Sequence, residues 1–182
     1  MCNSVANSLI SKNVIRSSNQ RCVVIHGSHN AQVIDNVAYD TAGHCYILED
    51  GAEVGNTFKR NLGAKTRALT AGIGASDDFP STFWITNANN YFIGNVAAGS
   101  QGSGYWFETN NKVAGPSLAM YPDVVPMTTE LYAFRDNVAH SNHVHGVRTY
   151  SPGWQPKTLA KFERLRSYKN QYSGLFVHGS GN

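Results

Sequence analysis

Two sets of side chains recur at fixed positions along this chain of 182 residues and could do chemistry together. The first set is polar and consists of His26, Glu49, Thr86, Glu108, Tyr150 and His178. The second set stands two positions earlier in each case and consists of Val24, Ile47, Trp84, Trp106, Arg148 and Phe176. A pair of carboxylic acids can hydrolyse a glycosidic bond. Exposed indole rings in a row are unfavourable in water unless another group packs against them. That group could be an inserted loop or the apolar face of a sugar.

An internal repeat generates both sets. Its anchors are Asn13, Asn36, Asn61, Asn95, Asn137 and, with the Asn replaced, Leu165, at spacings of 23, 25, 34, 42 and 28 residues. The residue three positions before each anchor is apolar: Ile10, Val33, Phe58, Phe92, Phe134 and Phe162. Two positions after each anchor stand mostly small residues: Ile15, Ala38, Gly63, Ala97, Ala139 and Ser167. Repeats that each form about one turn of chain indicate a solenoid.

A strand precedes each member of the polar set. Side chains alternate in direction along a strand, so two nearly all-apolar columns should face inward: Val23, Tyr46, Phe83, Tyr105, Val147 and Leu175, and Ile25, Leu48, Ile85, Phe107, Thr149 and Val177. The two sets named first then face outward. We predict an all-β, right-handed parallel β-helix of six to seven rungs, with the anchor Asn side chains forming an internal ladder.

The whole chain, 1–182, is expected to be one β-helix domain. Residues 177–182 imitate residues 25–30, which lead into another rung. We therefore expect a fragment of a longer protein, or an end that missing domains or a capping partner cover. Two rungs carry insertions, Arg67 to Pro80 and Thr109 to Thr129. Such excursions usually lie on one face and often flank a site, although they could equally be inert.

The catalytic hypothesis uses Glu49, Glu108 and His26. Glu49 and Glu108 are two rungs apart, about 9.6 Å at Cα, which side-chain rotation can bring into the range of roughly 6.5 to 9.5 Å for an inverting hydrolase. Glu49 beside the His26 imidazolium should stay ionised. Glu108, beside Trp106 and under the second insertion, should have a raised pKa and act as the acid. The same polar column is equally typical of a solvated hydrophilic ladder.

The remaining outward residues predict a binding surface for an anionic polysaccharide. Trp84 and Trp106 would stack on sugar rings, and Arg148 would hold a uronate carboxylate. The other predicted binding residues are Tyr150, His178, Asp50 and His44, the last of which borders the same face. His140, His143 and His145 match no closed zinc spacing, so no metal and no cofactor are predicted, although calcium that bridges uronates stays open.

Composition excludes some other classes of protein. The net charge of +3 comes from scattered Lys and Arg rather than a cluster, so no nucleic-acid partner is predicted. The chain contains neither an apolar run of membrane-spanning length nor an N-terminal signal sequence. Cys22 and Cys45 share one column on adjacent rungs, which leaves a disulfide and two stacked free thiols equally open.

Several long strings resemble one family. They include Cys22-Val-Val-Ile-His-Gly-Ser-His29, Asp35-Asn-Val-Ala-Tyr-Asp-Thr-Ala-Gly-His-Cys45, Glu49-Asp-Gly51 and Ser81-Thr-Phe-Trp84. They closely resemble the β-helical region of the family of the cell-migration-inducing hyaluronan-binding protein and its transmembrane relative. The resemblance covers nearly the whole chain and implies an extracellular or cell-surface protein that binds hyaluronan and takes part in its depolymerisation. Domains that precede the helix in that family have no counterpart here.

Three functions follow as hypotheses. The first is hydrolysis of a hyaluronan-type glycosaminoglycan. The second is a polysaccharide lyase, with Tyr150 or His178 as the base and Arg148 neutralising the uronate. The third is a non-catalytic carbohydrate-binding scaffold, which would hold the polymer without cutting it.

Overall fold

The computed structural model describes residues 7–69, 71, 74, 76–150 and 153–179. In these residues the chain forms strands β1 (Leu9–Ser11), β2 (Val14–Arg16), β3 (Val23–Ile25), β4 (Gln32–Ile34), β5 (Val37–Ala42), β6 (Tyr46–Leu48), β7 (Thr57–Lys59), β8 (Leu62–Arg67), β9 (Ser81–Ile85), β10 (Tyr91–Ile93), β11 (Val96–Ala98), β12 (Ser103–Phe107), β13 (Ala133–Arg135), β14 (Val138–His140), β15 (His145–Arg148), β16 (Phe162–Glu163), β17 (Arg166–Tyr168) and β18 (Ser173–Phe176). Two 3₁₀ helices span Gly115–Ala119 and Pro126–Thr128.

The strands form three parallel sheets of six strands each, so every rung contributes one strand to each sheet. The first sheet runs from β1 to β16, the second from β2 to β17 and the third from β3 to β18, in steps of three strands. The column predicted three positions before the anchors is in register throughout, from Ile10 against Val33 to Phe134 against Phe162. The predicted parallel β-helix is therefore confirmed.

Stacked aromatic rings fill the interior. Tyr46 lies on Phe83 with ring centroids 4.8 Å apart, and Phe83 lies on Tyr105 at 4.7 Å. The two columns predicted to face inward are buried in the first five rungs, whereas Leu175 and Val177 in the last described rung are exposed. Gly63, in the column of small residues two positions after the anchors, leaves no room for a side chain. A Cβ at this position would lie 2.2 Å from Thr82 Cγ2.

The anchor asparagines form the predicted ladder. Each side-chain amide donates to the carboxamide oxygen of the next rung, from Asn13 to Asn36 and on to Asn137. The same amides also donate to backbone carbonyls, as Asn61 does to Val33 at 2.8 Å. Four of the five anchors are buried. Their polar atoms are satisfied inside the solenoid, as buried polar groups require.

A disulfide joins Cys22 to Cys45, with the two Cα atoms 4.5 Å apart. Free thiols, the equally open alternative, are therefore wrong for this pair. The bridge ties β3 to β6, the first two strands of the third sheet. Among the residues described, no helix is long and apolar enough to cross a membrane.

A third insertion, between β15 and β16, was not predicted from the sequence. It carries Trp154, whose ring stacks on Phe107 at 5.1 Å and meets Phe162 edge-on at 6.2 Å. The indole N–H donates to the carbonyl of Thr129 at 2.8 Å. Trp154 therefore ties the second insertion to the aromatic core.

The ladder gives a stability prediction. Asn95→Ala should lower the free energy of unfolding by about 2 to 4 kcal/mol, because the bonds to Asn61, Phe58 and Asn137 are lost inside the core. Chemical denaturation measures the loss. Asn111→Ala is the control, since Asn111 is exposed, and equal losses in both variants would contradict a stabilising ladder.

Candidate functional site

The candidate site lies on the outer face of the third sheet. Five strand pairings place Val24, Ile47, Trp84, Trp106, Arg148 and Phe176 in one register, as the sequence predicted. The first insertion enters this sheet before β9 and the second leaves it after β12. The two insertions therefore border the face that carries both sets of candidate residues.

Glu49 and Glu108 line the same small cavity, of about 70 Å³. Trp84 on β9 and Thr86 directly after that strand complete its floor. The second insertion adds Asn110, Lys112, Ala114 and Pro126. The sequence repeat predicted that Glu49, Trp84, Thr86 and Glu108 share this face. Asn110 and Lys112 were not identified as site residues, because they stand in an irregular segment without a register.

Glu108 has a strongly altered acidity. Burial raises its pKa from 4.5 to about 7, while a hydrogen bond from Asn110 and the charge of Arg148 oppose the rise. The direction and the cause are those that the sequence predicted. A carboxyl group with this pKa is about half protonated near neutral pH, so it can donate a proton to a leaving group.

His26 lies between two carboxylates. Its Nε2 is 3.0 Å from Asp50 Oδ2 and its Nδ1 is 3.6 Å from Glu49 Oε2. Asp50 is only 5% exposed and also accepts a hydrogen bond from the Ser117 N–H at 3.2 Å. Asp50 therefore orients the His26 ring. It also lines the cavity of Glu49 and Glu108, so its role in substrate binding stays a prediction.

The second insertion fits closely over Asp50. Gly115 has a φ of +54°, and a Cβ at this position would lie 2.5 Å from Asp50 Oδ1. The N–H of Ala114 donates to the Asp50 carbonyl at 2.8 Å. Glycine at this position therefore lets the first 3₁₀ helix place the Ser117 N–H against the carboxylate.

His44 is fully buried, so its predicted contact with substrate is corrected. Its ring stacks on Trp84 with centroids 4.7 Å apart. The Ser81 N–H donates to Nδ1 at 2.9 Å, so Nε2 carries the proton and faces Ser76 Oγ at 3.0 Å. Burial and the charge of Arg21 lower the pKa of His44 to about 3. His44 is a neutral support for Trp84 and for the first insertion.

Trp106 is only 7% exposed, so the expectation of an exposed indole row is wrong at this position. The guanidinium carbon of Arg148 lies 3.7 Å from the centroid of its ring, a cation–π contact. Arg148 Nε donates to the Tyr150 carbonyl at 2.5 Å. Trp84 is partly exposed, and it is the indole that reaches the cavity between the carboxylates.

A larger cavity, of about 500 Å³, lies beside Trp106 and Arg148. The first insertion supplies its other described walls, namely Ser76, Asp78 and Phe79. No repeat position marked these three residues. The only signal in the sequence was their location in an insertion predicted to flank the site.

Tyr150 and His178 lie at the far end of the same face. Their ring centroids are 4.5 Å apart, and both side chains are exposed. Among the described lining residues of the two cavities, neither ring is found. Within the described part of the chain, no group of three His, Cys, Asp or Glu side chains is arranged to hold a metal ion.

The three parallel sheets define a parallel β-helical protein. The chain belongs to the CEMIP beta-helix family, whose model matches residues 1–147. This confirms the family that the sequence strings indicated.

Three relatives illustrate the family. The human "Cell migration-inducing and hyaluronan-binding protein" is 31% identical over 87% of this chain and 16% of its own length. "Cell surface hyaluronidase" of Danio rerio is 36% identical over 91% of this chain and 16% of its own length. "Communication mutant protein F" of Dictyostelium discoideum is 38% identical over 96% of this chain and 16% of its own length. The chain thus spans about one sixth of the length of these relatives.

The raised pKa of Glu108 predicts a pH dependence of stability. The folded state keeps the proton up to about pH 7, whereas the unfolded state releases it near 4.5. Glu108 therefore destabilises the fold increasingly as pH rises from 4.5 through 7, by up to about 3 kcal/mol. Glu108→Gln should remove this loss, so the variant gains stability relative to the parent between pH 4.5 and 8.

Denaturation curves across that pH range measure the difference. The exposed Glu163 offers a matched control, Glu163→Gln. A pH-independent difference between the parent chain and Glu108→Gln would mean that Glu108 has an ordinary pKa.

Proposed function

We propose that this chain binds a hyaluronan-type glycosaminoglycan on the outer face of the third sheet and hydrolyses its glycosidic bonds outside the cell. The observation that carries the proposal is the pair of unlike carboxyl groups in one cavity. Glu108 has a pKa raised to about 7 by burial, whereas Glu49 is about one-third exposed beside His26. Carboxyl groups in such different environments suit an acid and a base.

The reaction follows from those roles. Protonated Glu108 gives its proton to the glycosidic oxygen as the bond from that oxygen to the anomeric carbon breaks. Glu49 takes a proton from a water molecule, whose oxygen forms the new bond to the same carbon. One water is consumed and the configuration inverts. The two residues are two rungs apart, about 9.6 Å at Cα. Side-chain rotation can bring their carboxyl groups into the range of roughly 6.5 to 9.5 Å of inverting enzymes, whereas retaining enzymes hold theirs about 5 to 5.5 Å apart.

His26 and Asp50 would hold Glu49 for this role. Asp50 fixes the His26 ring through the 3.0 Å contact with Nε2, and the opposite ring nitrogen faces Glu49. His26 is thus a positioning residue rather than the acid or the base.

Arg148 would recognise the uronate of the polymer. A guanidinium can pair with a carboxylate through two parallel hydrogen bonds, and Trp106 restricts the position of this one. The names of two relatives contain hyaluronan or hyaluronidase, which supports this class of substrate. An extracellular location is supported by the Cys22–Cys45 disulfide, since such bonds persist in oxidising compartments.

Binding without cleavage is the second candidate. The cavity between the carboxylates, about 70 Å³, has room for about two water molecules and none for a sugar ring. A polymer could therefore be retained on the face while its bonds stay out of reach of Glu108. The length of the relatives favours the same alternative, because groups elsewhere in such proteins could supply the chemistry.

The first functional prediction concerns cleavage. Purified chain incubated with hyaluronan should shorten the polymer without generating the ultraviolet absorbance of unsaturated uronate. Glu108→Gln and Glu49→Gln should each reduce the rate by at least about 100-fold, with Glu163→Gln as the control. Activity should fall as pH rises above about 7, because Glu108 then loses the proton that it must donate.

Other outcomes of this assay decide between the functions. Ultraviolet-absorbing products would favour a lyase that uses Arg148 with Tyr150 or His178. Retention of an unshortened polymer would favour the scaffold. Failure both to retain and to shorten hyaluronan would remove the proposed substrate.

The second functional prediction concerns the uronate. Arg148→Lys should weaken hyaluronan binding about 10-fold, because an ammonium cannot form the paired hydrogen bonds. Carboxyl-reduced hyaluronan should bind the parent and the variant equally weakly. The control is Arg166→Lys, an exposed residue of the second sheet. If Arg148→Lys and Arg166→Lys bound alike, Arg148 would not be the uronate contact.

A further inference from the structure

We propose that the cavity between the first insertion and Arg148 is a subsite for one uronic acid residue, with Phe79 as the ring that stacks on the sugar. The inference rests on the proposed function and goes beyond it, because it places the stacking surface on the insertion. The cavity of about 500 Å³ is within the range of about 300 to 1,000 Å³ typical of small-ligand sites.

Phe79 is the aromatic side chain that this cavity leaves open. It is 59% exposed, whereas Trp106, which lines the same cavity, is 7% exposed. Arg148 already covers one face of Trp106. A sugar that enters the cavity therefore meets the phenyl ring of Phe79 and the guanidinium of Arg148, while Trp106 supports that guanidinium from below.

The turn that carries Phe79 is held by a buried carboxylate. Asp77 is fully buried and accepts from Gln20 at 3.1 Å and from the Gly74 N–H at 3.0 Å. It also pairs with Arg21 at 3.1 Å. The Phe79 N–H bonds to the Ser76 carbonyl at 3.1 Å. Because the backbone of the turn is anchored in this way, Phe79 is held beside the cavity, and little further ordering of the turn is needed when a ligand binds.

Asp78 gives the subsite a testable selectivity. It is exposed and lines the same cavity as Arg148. Its carboxylate can accept hydrogen bonds from sugar hydroxyls, but it also repels a uronate that approaches Arg148. Asp78 therefore lowers the affinity for anionic sugars and should penalise a polymer of higher charge density, such as a sulfated one, more strongly.

Arg148 connects this subsite to the carboxylate cavity. In the third sheet Arg148 pairs with Trp106 on the neighbouring strand, and Trp106 pairs with Trp84 on the next. Trp84 lines the cavity of Glu108. The charge of Arg148 opposes the rise in the pKa of Glu108. A uronate paired with Arg148 would offset that charge, so an occupied subsite favours the protonated form of Glu108 that the proposed reaction needs.

The test uses hyaluronan oligosaccharides of defined length and titration calorimetry on the whole chain. Phe79→Ala should weaken binding about fivefold, and Phe79→Tyr should retain it because the ring is kept. Asp78→Asn should tighten binding about threefold through lost repulsion. The matched controls are Tyr172→Ala and Asp123→Asn, both exposed and away from this cavity; they should bind as the parent does.

The outcomes separate this subsite from the proposed function. If the parent binds the oligosaccharides and Phe79→Ala and Asp78→Asn behave like their controls, the subsite is wrong while hyaluronan binding stands. If the parent does not bind them, the proposed function fails first. Circular dichroism and thermal unfolding of each variant identify a loss of binding that comes from misfolding. Asp78→Asn should raise the affinity, which misfolding cannot do.

Discussion

In-register stacking of the rungs is the constraint on which the candidate site depends. The Asn ladder makes this register specific, because a shift of one residue would break its amide bonds and turn the inward aromatic columns outward. The same register sets residues from distant parts of the chain side by side, such as Trp84, Trp106 and Arg148. The outer face is therefore a consequence of how the core packs.

That constraint also explains what could be predicted. Residues on strands or directly after them, such as Glu49 and Glu108, were assigned to one face because the repeat specifies their direction. Phe79 and Asn110 were not identified, since an irregular insertion has no period from which a direction can be read. The exposure of Trp106 was wrong for another reason: it depends on the conformation that Arg148 adopts over it, which no spacing encodes. Periodicity thus predicts neighbours and directions, whereas solvent access depends on the neighbouring side chains.

The carboxylates around the site differ in their hydrogen-bond donors, and this difference separates structural from chemical roles. Glu53 is fully buried and accepts from the backbone N–H groups of Gly27, Asp50 and Gly51. Burial raises its pKa and these bonds oppose the rise. Glu53 thereby holds the segment that carries Asp50. Glu108 is also desolvated, but it lines a cavity, so its proton can be exchanged with a bound molecule. Access, rather than desolvation alone, makes Glu108 the candidate acid.

The burial of Trp106 then has a functional interpretation. An indole beneath a guanidinium restricts the conformations of a long, flexible side chain before any ligand arrives, so less entropy is lost when a carboxylate binds. The second anchor on Arg148, its bond to the Tyr150 carbonyl, acts in the same direction. A lysine at this position would keep the charge, but it lacks the planar guanidinium that lies over the indole and the Nε–H that bonds to the Tyr150 carbonyl. The two tryptophans of the outer column therefore have different roles, since Trp84 lines the carboxylate cavity and Trp106 holds the cation beside it.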